Sequence, residues 1–179
     1  MMKEKILEAA LEVYLENPHA TVHDVAEKAG VSKSTVFYYF GNKKGLEKEL
    51  LMYAIKRYAP WQCDTLEEAI KTKFEIIAKD RRVPKMFFYL IDGIHQVDPK
   101  FIEGLIGRAI EKVSRLLEKE GVCSNRMALF LMALLDGVAM YSVYGYLNPE
   151  EYKDLSGMLV ELMKKYGEKC EDVYESKSK

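Results

Sequence analysis

From Gly30 to Leu46 the chain carries no acidic residue, while Lys33, Lys43 and Lys44 are all present. Elsewhere acids and bases alternate closely, and the formal net charge of the whole chain is only −1. A local acid-free patch inside a near-neutral chain is what a phosphate backbone requires. Ser32, Ser34 and Thr35 add hydroxyls that can reach base edges and phosphates. The stretch "KSTVFYYF", residues 33–40, adds four consecutive aromatics, Phe37, Tyr38, Tyr39 and Phe40. Their rings can touch thymine methyls and sugars. On a helix, consecutive side chains point about 100° apart, so no single core can take all four.

The elements that must hold these residues read as helices. Ile6, Leu7, Ala10, Leu11, Val13 and Tyr14 recur at helical spacing over 3–16. Glu4, Glu8, Glu12 and Glu16 line the opposite side, a solvated face unsuited to DNA. "NPHA" breaks the pattern. Thr21, with Asp24 in the capping-box position, opens a second helix that Gly30 ends. Ser32 caps a third helix to Phe40, and Asn42 a fourth from Lys43 to about Tyr58. Helices two and three, joined by "AGVS", form a helix-turn-helix, whose second helix enters the major groove. Val36 and Phe40, four apart, face the small core. Ser34, Thr35 and Tyr38 lie opposite, with Phe37 and Tyr39 on the flanks. Lys43, in the first turn of the fourth helix beside free backbone N–H groups, suits a phosphate anchor.

The rest is also helical. Thr65 with Glu68 opens a helix to about Lys79. Pro84 suits the first position of a helix over 84–96. Asp98-Pro99 and Asn148-Pro149 open helices at about 99–119 and 149–167, with an apolar helix capped by Ser124 between them. No strand or internal repeat is evident. The chain divides near residue 45, with three short helices before and longer ones after.

Residues 21–50, "TVHDVAEKAGVSKSTVFYYFGNKKGLEKEL", resemble the DNA-binding domain of the tetracycline-repressor (TetR) family of bacterial and archaeal transcription regulators. Thr21, Val25-Ala26, Ala29-Gly30-Val31-Ser32, Thr35, Val36, Tyr38, Phe40 and Asn42-Lys43 fit its pattern. The resemblance puts Ser32, Lys33, Ser34, Thr35, Tyr38, Tyr39 and Lys43 at DNA-contacting positions. Phe37 stands where Tyr is usual, so it keeps a ring and loses a phosphate hydrogen bond. Tyr39 stands where His is common. Val22 and His23 begin helix two, where polar contacts are often made; His23 can make one and Val22 cannot.

The resemblance implies an all-α fold with a helix-turn-helix DNA-binding domain at 1–45, a helical ligand-binding and dimerisation domain at 46–170, and a frayed tail at 171–179. Met and aromatic residues in excess of one core can line an adaptable apolar cavity. Candidates are Trp61, Phe74, Phe87, Phe88, Ile91, Phe101 and Tyr141. Leu155, Met158, Leu159, Leu162 and Tyr166 form a stripe on the last helix. With Leu131 and Leu135 of the apolar helix they suit a four-helix dimer interface. The implied protein is a cytoplasmic homodimer that binds a double-stranded operator, most often as a repressor released by a small apolar effector. The rival reading is control by a protein partner.

Several classes are set aside. Residues 46–170 lack a G-x-S-x-G, a Gly-rich phosphate loop and a His pair with a carboxylate, so no enzyme is expected. His19 and His23 are four apart, but Thr21 caps a helix between them, so no metal or cofactor is expected. Residues 127–147 carry one charge, Asp136, over a bilayer-spanning length. A mid-span Asp costs several kcal/mol, which favours an enclosed helix over a membrane span. Cys63, Cys123 and Cys170 are far apart and without C-x-x-C spacing, which reads as reduced thiols.

Overall fold

The computed structural model describes residues 1–58, 63–148, 151–152 and 155–170. Among these the helices are α1 (Met2–Glu16), α2 (Val22–Ala29), α3 (Lys33–Phe40), α4 (Lys43–Tyr58), α5 (Leu66–Lys79), α6 (Arg82–His95), α7 (Pro99–Lys119), α8 (Asn125–Val143) and α9 (Ser156–Tyr166). The expected all-α class is observed. The β-pairing among the described residues is an isolated bridge between Val122 and Lys169.

Most boundaries follow from local hydrogen bonding. Thr21 Oγ1 accepts the Asp24 N–H, and Asp24 Oδ2 accepts the Thr21 N–H at 2.7 Å, a complete capping box. The backbone bond from Thr21, first, holds the Asp24 carboxyl below its ordinary range. Ser32, Thr65 and Ser124 each accept an N–H three residues on. Asp98 Oδ1 does the same for Phe101 at the start of α7. Gly30 closes α2 in the left-handed region, at φ 65°, which glycine enters without steric cost. Two boundaries differ from the sequence reading. α6 starts at Arg82, so Pro84 lies inside its first turn, where the missing N–H has no intrahelical partner to lose. α9 starts at Ser156, and Pro149, the expected start, lies outside the described residues.

The chain forms two compact units, Met1–Ala59 with Arg82–Ile102, and Pro60–Arg81 with Glu103–Lys179. This division departs from a cut at residue 45. In the first unit α4 and α6 join the three short helices: α6 packs on both α1 and α4, and α1 packs on α2 and α4. Ile6, Ala10, Tyr14, Leu46, Leu50, Leu51, Met86 and Ile94 are fully buried there. Glu4, Glu8, Glu12 and Glu16 are exposed, as the period of four requires. Across α4 and the 82–102 segment, Tyr58 meets Phe87 edge-on, and Lys48 Nζ lies 2.5 Å from Asp98. The first turn of α4 comes close to the end of α3, so a Cβ at Gly45 would overlap the Phe40 carbonyl oxygen.

The second unit is built on α5, most of α7, α8 and α9. Its core includes Ile70 and Phe74 of α5, Val113 and Leu117 of α7, Leu131 and Leu135 of α8, and Leu159 and Met163 of α9. α8 is long and apolar enough to cross a membrane by length and composition alone. Yet Ala128, Leu131, Leu135, Ala139 and Ser142 form one buried stripe on it. Lys73 of α5 reaches its one acidic residue, Asp136, at 3.0 Å.

The cysteines overturn the sequence reading. Cys123 and Cys170, 47 positions apart, form a disulfide, and Cys63 is free. Packing brings the pair together. The turn after α7 lies beside the residues after α9, with Cys123 N–H donating to Glu168 O and Cys170 N–H to Gly121 O. Gly167 permits this approach, because a Cβ there would overlap the Val122 side chain.

Candidate nucleic-acid interface

α3 divides its aromatics by direction. Val36 and Phe40 are buried, at 1% and 8% exposure. Tyr38 is 83% exposed, with Phe37 and Tyr39 at 43% and 38%. The buried pair shares one side of the helix, four residues apart, and α3 packs on α2 and α4. The Tyr38 and Tyr39 rings meet edge-on with centroids 5.2 Å apart. Each therefore props the other in an outward position. Lys3 of α1 lies over the Phe40 ring, 5.7 Å from its centroid, on the inner side.

Hydroxyls cluster at the start of α3. Ser32 Oγ accepts the Thr35 N–H at 3.1 Å and lies 2.7 Å from Ser34 Oγ and 2.8 Å from Thr35 Oγ1. A hydroxyl has one donor and two acceptor sites, so Ser32 is saturated by these three contacts while Ser34 and Thr35 retain capacity for an incoming group. Ser32, Lys33 and Ser34 are exposed and Thr35 half-buried. His23, at the second position of α2, is exposed. These side chains thus lie on adjoining helices of one helix-turn-helix, around an N-terminus whose free N–H groups face outward.

Lys43 is the first residue of α4. Asn42 Oδ1 accepts the Gly45 N–H at 2.9 Å and so caps this helix. Lys43 and Lys44 both reach back to Glu47, which is 1% exposed. Sequence reasoning passed over Glu47. Its position three and four residues after two lysines was the available signal, since such pairs meet on a helix.

The other candidate residues are placed less uniformly. Phe87, Phe88, Ile91 and Phe101 belong to the first unit and are half-buried, with Lys48 Nζ 5.2 Å over the Phe101 ring. Phe74 and Tyr141 belong to the second unit. There Phe74 is enclosed in the core and Tyr141 is 52% exposed, edge-on to Tyr146. Trp61 lies outside the described residues. Of the expected dimer residues, Leu131, Leu135 and Leu159 are enclosed by their own unit's core and cannot line an outer face. Leu155 is half-buried, while Met158, Leu162 and Tyr166 are exposed. Leu129, Phe130 and Met140 of α8, and Tyr144 at its end, are exposed as well, and the sequence reading did not single them out. A helix apolar on every side gives no periodicity to tell its two faces apart.

Comparison with known proteins agrees with this geometry. Residues 6–50 match the family model for bacterial regulatory proteins of the tetR family. The chain is 28% identical over 129 residues to the HTH-type transcriptional regulator TtgW of Pseudomonas putida, covering 70% of this chain and 82% of that one. It is 32% identical over 95 residues to the fatty acid metabolism regulator protein of Bacillus subtilis, covering 52% of this chain and 47% of that one. Among solved structures, a transcriptional regulator from a Rhodococcus species superposes with a TM-score of 0.75 at 18% identity, over 93% of this chain and 98% of that one. The fatty acid degradation regulator FadR from Bacillus halodurans superposes with a TM-score of 0.66 at 19% identity, over 90% and 93%. With exposed hydroxyls and Lys33 on the second helix of a helix-turn-helix, residues 6–50 carry the region that the tetR family of bacterial regulatory proteins shares, and the chain as a whole is similar to such regulators in sequence and fold.

Proposed function

We propose that this protein is a dimeric, cytoplasmic repressor that leaves its operator when a small, largely apolar effector binds. The observation that carries the DNA reading is the outer surface of α3. Tyr38 is 83% exposed, a large ring turned to solvent among hydroxyls and Lys33, where burial would otherwise be favoured. Ser32, Lys33, Ser34, Thr35, Phe37, Tyr38 and Tyr39 would read the major groove, His23 would approach from α2, and Lys43 would take a phosphate. Two heads in a dimer would meet successive major grooves about 34–36 Å apart. The domain reading, a DNA-binding head followed by a ligand and dimer region, is carried forward with α4 and α6 joined to the head.

Dimerisation is assigned to the exposed faces of α8 and α9. On α8, Leu129, Phe130, Met140 and Tyr141 lie opposite the buried stripe, with Tyr144 exposed just past its end. The effector reading draws on two relatives named for fatty acid metabolism and degradation, which favours a ligand with an apolar chain. Native mass spectrometry of protein purified from its own cells tests it: a co-purifying small molecule is expected, and a stoichiometric second protein in its place would favour the rival mode of control.

Two substitutions test the DNA reading, using a duplex that the wild-type protein selects from a random-sequence pool. Thr35→Ala or Tyr38→Ala is expected to cost roughly 1–3 kcal/mol on that duplex and less on a scrambled one. Equal losses on both would show that these side chains do not read sequence. Lys43→Ala is expected to weaken binding to both duplexes, the selected one more. It should lower the slope of log affinity against log salt by about one phosphate contact. A slope identical to wild type would remove Lys43 from the backbone contacts.

A further inference from the structure

The acid-free run ends at Glu47, whose carboxylate is 1% exposed. Four groups define its surroundings. Tyr14 Oη of α1 donates to Oε1 at 3.2 Å. Lys43 Nζ lies 3.7 Å from the same oxygen. Lys44 Nζ lies 2.8 Å from Oε2. On α6, Gly93 borders Lys44, since a Cβ at that position would stand 3.2 Å from Nζ. Tyr14 itself is fully buried, and burial, then the Glu47 charge, pushes its phenol far above the ordinary range.

The two lysines are held unequally. Both are more than a third exposed, at 38% and 39% of their side chains. Lys44 makes the short pairing, bordered by α6. Lys43 makes the long one and begins α4, where its stem can swing outward. A buried carboxylate stripped of every partner is strongly destabilising, so one lysine must stay. The distances make Lys44 the one that stays and Lys43 the one that can leave.

We propose that Glu47 is a positioning residue for DNA recognition: it keeps Lys43 in register at the start of α4 and offsets its charge until a correctly placed phosphate competes for it. This rests on the reading of Lys43 as a phosphate anchor. A loose tether of this kind penalises random DNA, where phosphates are not aligned, more than a bound operator, where α3 has already set the register. Glu47 thereby raises discrimination at the expense of raw affinity. Tyr14 connects the same carboxylate to α1, so the anchor is set by three helices.

The test compares salt-dependent binding of the selected and scrambled duplexes. Glu47→Gln keeps an acceptor for Tyr14 and removes the charge. It is expected to strengthen scrambled-duplex binding roughly tenfold at about 0.1 M salt and to steepen its salt slope by about one. The selected duplex should gain less, so the ratio between the two narrows. In the double variant with Lys43→Ala, the steeper slope should disappear. An unchanged slope and scrambled-duplex affinity in Glu47→Gln would overturn the proposal, as would an equal gain on both duplexes. If Lys43→Ala lowers the slope and Glu47→Gln does not move it, the anchor reading stands and this inference falls. If Lys43→Ala itself leaves the slope unchanged, the anchor reading fails first.

Tyr14→Phe supplies an independent arm should Glu47→Gln fail to fold. Without the phenol, Oε1 is left to Lys43 alone and holds it more firmly. Scrambled-duplex binding should weaken and its slope flatten, opposite in sign to Glu47→Gln. A lower melting temperature with an unchanged slope would show a structural role only and overturn the proposal.

Discussion

Phe130→Glu is expected to give a folded monomer that binds the selected duplex roughly 10²–10⁴-fold more weakly, the advantage lost when two linked contacts become one. Phe130 is 56% exposed on α8 and stands opposite the buried stripe. Leu129 adjoins it, and Met140, Tyr141 and Tyr144 follow roughly 15–20 Å further along, exposed and uncharged. Asp136, at the edge of this face, is engaged by Lys73. A large contiguous apolar face on a folded chain marks an interaction surface, and a carboxylate placed in it would be buried without a partner on association. Sedimentation and duplex binding check the outcome together. A variant that stays dimeric with wild-type affinity would remove α8 from the interface. Leu131→Ala is the contrasting change. Leu131 is fully buried in the unit's own core, so its loss should cost about 2–5 kcal/mol of stability with subunit association retained in the folded fraction.

Loss of the Cys123–Cys170 disulfide should lower the stability of the second unit by about 4 kcal/mol, the loop-closure value for a separation of 47 residues. For a chain of this size that is roughly 10 °C in melting temperature. The expected observation is a melt that moves down by this amount on adding a dithiol reductant, and that no longer responds to it in Cys123→Ser/Cys170→Ser. A wild-type melt indifferent to the reductant would show that the bond contributes nothing. Cys63 is absent from the bond, so Cys63→Ser should leave the reductant response in place.

These two effects draw on features that differ in how visible they are along the chain. The caps at Thr21, Ser32, Thr65, Asp98 and Ser124 are legible because each acts over three residues, within reach of the chain's own stiffness. The direction of Val36 and Phe40 is legible for the same reason: a spacing of four on a helix has one geometric meaning. The candidate DNA face follows, since acid-free composition, hydroxyls and rings all fall within one short stretch. Pro84 misled because a proline is tolerated throughout a helix's first turn and not at one position alone.

The remaining features depend on groups distant in sequence. Cys123 and Cys170 form a bond because the ends of α7 and α9 pack side by side, and no local spacing announces that. α8 is apolar all round, so its sequence could not say which side would meet α5 and α7 and which would stay open. Glu47 reads as one more charge on a charged helix until α1 and α6 close over it. The sequence by itself determined the helices, the helix-turn-helix and the residues on its outer face, because those are set by interactions a few residues long. Only the tertiary structure decided which acid is buried beneath the lysines, which cysteines pair and which apolar face remains uncovered. Burial is a property of what packs from elsewhere in the chain, and it is burial that turns an ordinary carboxylate, thiol or leucine into one with a particular task.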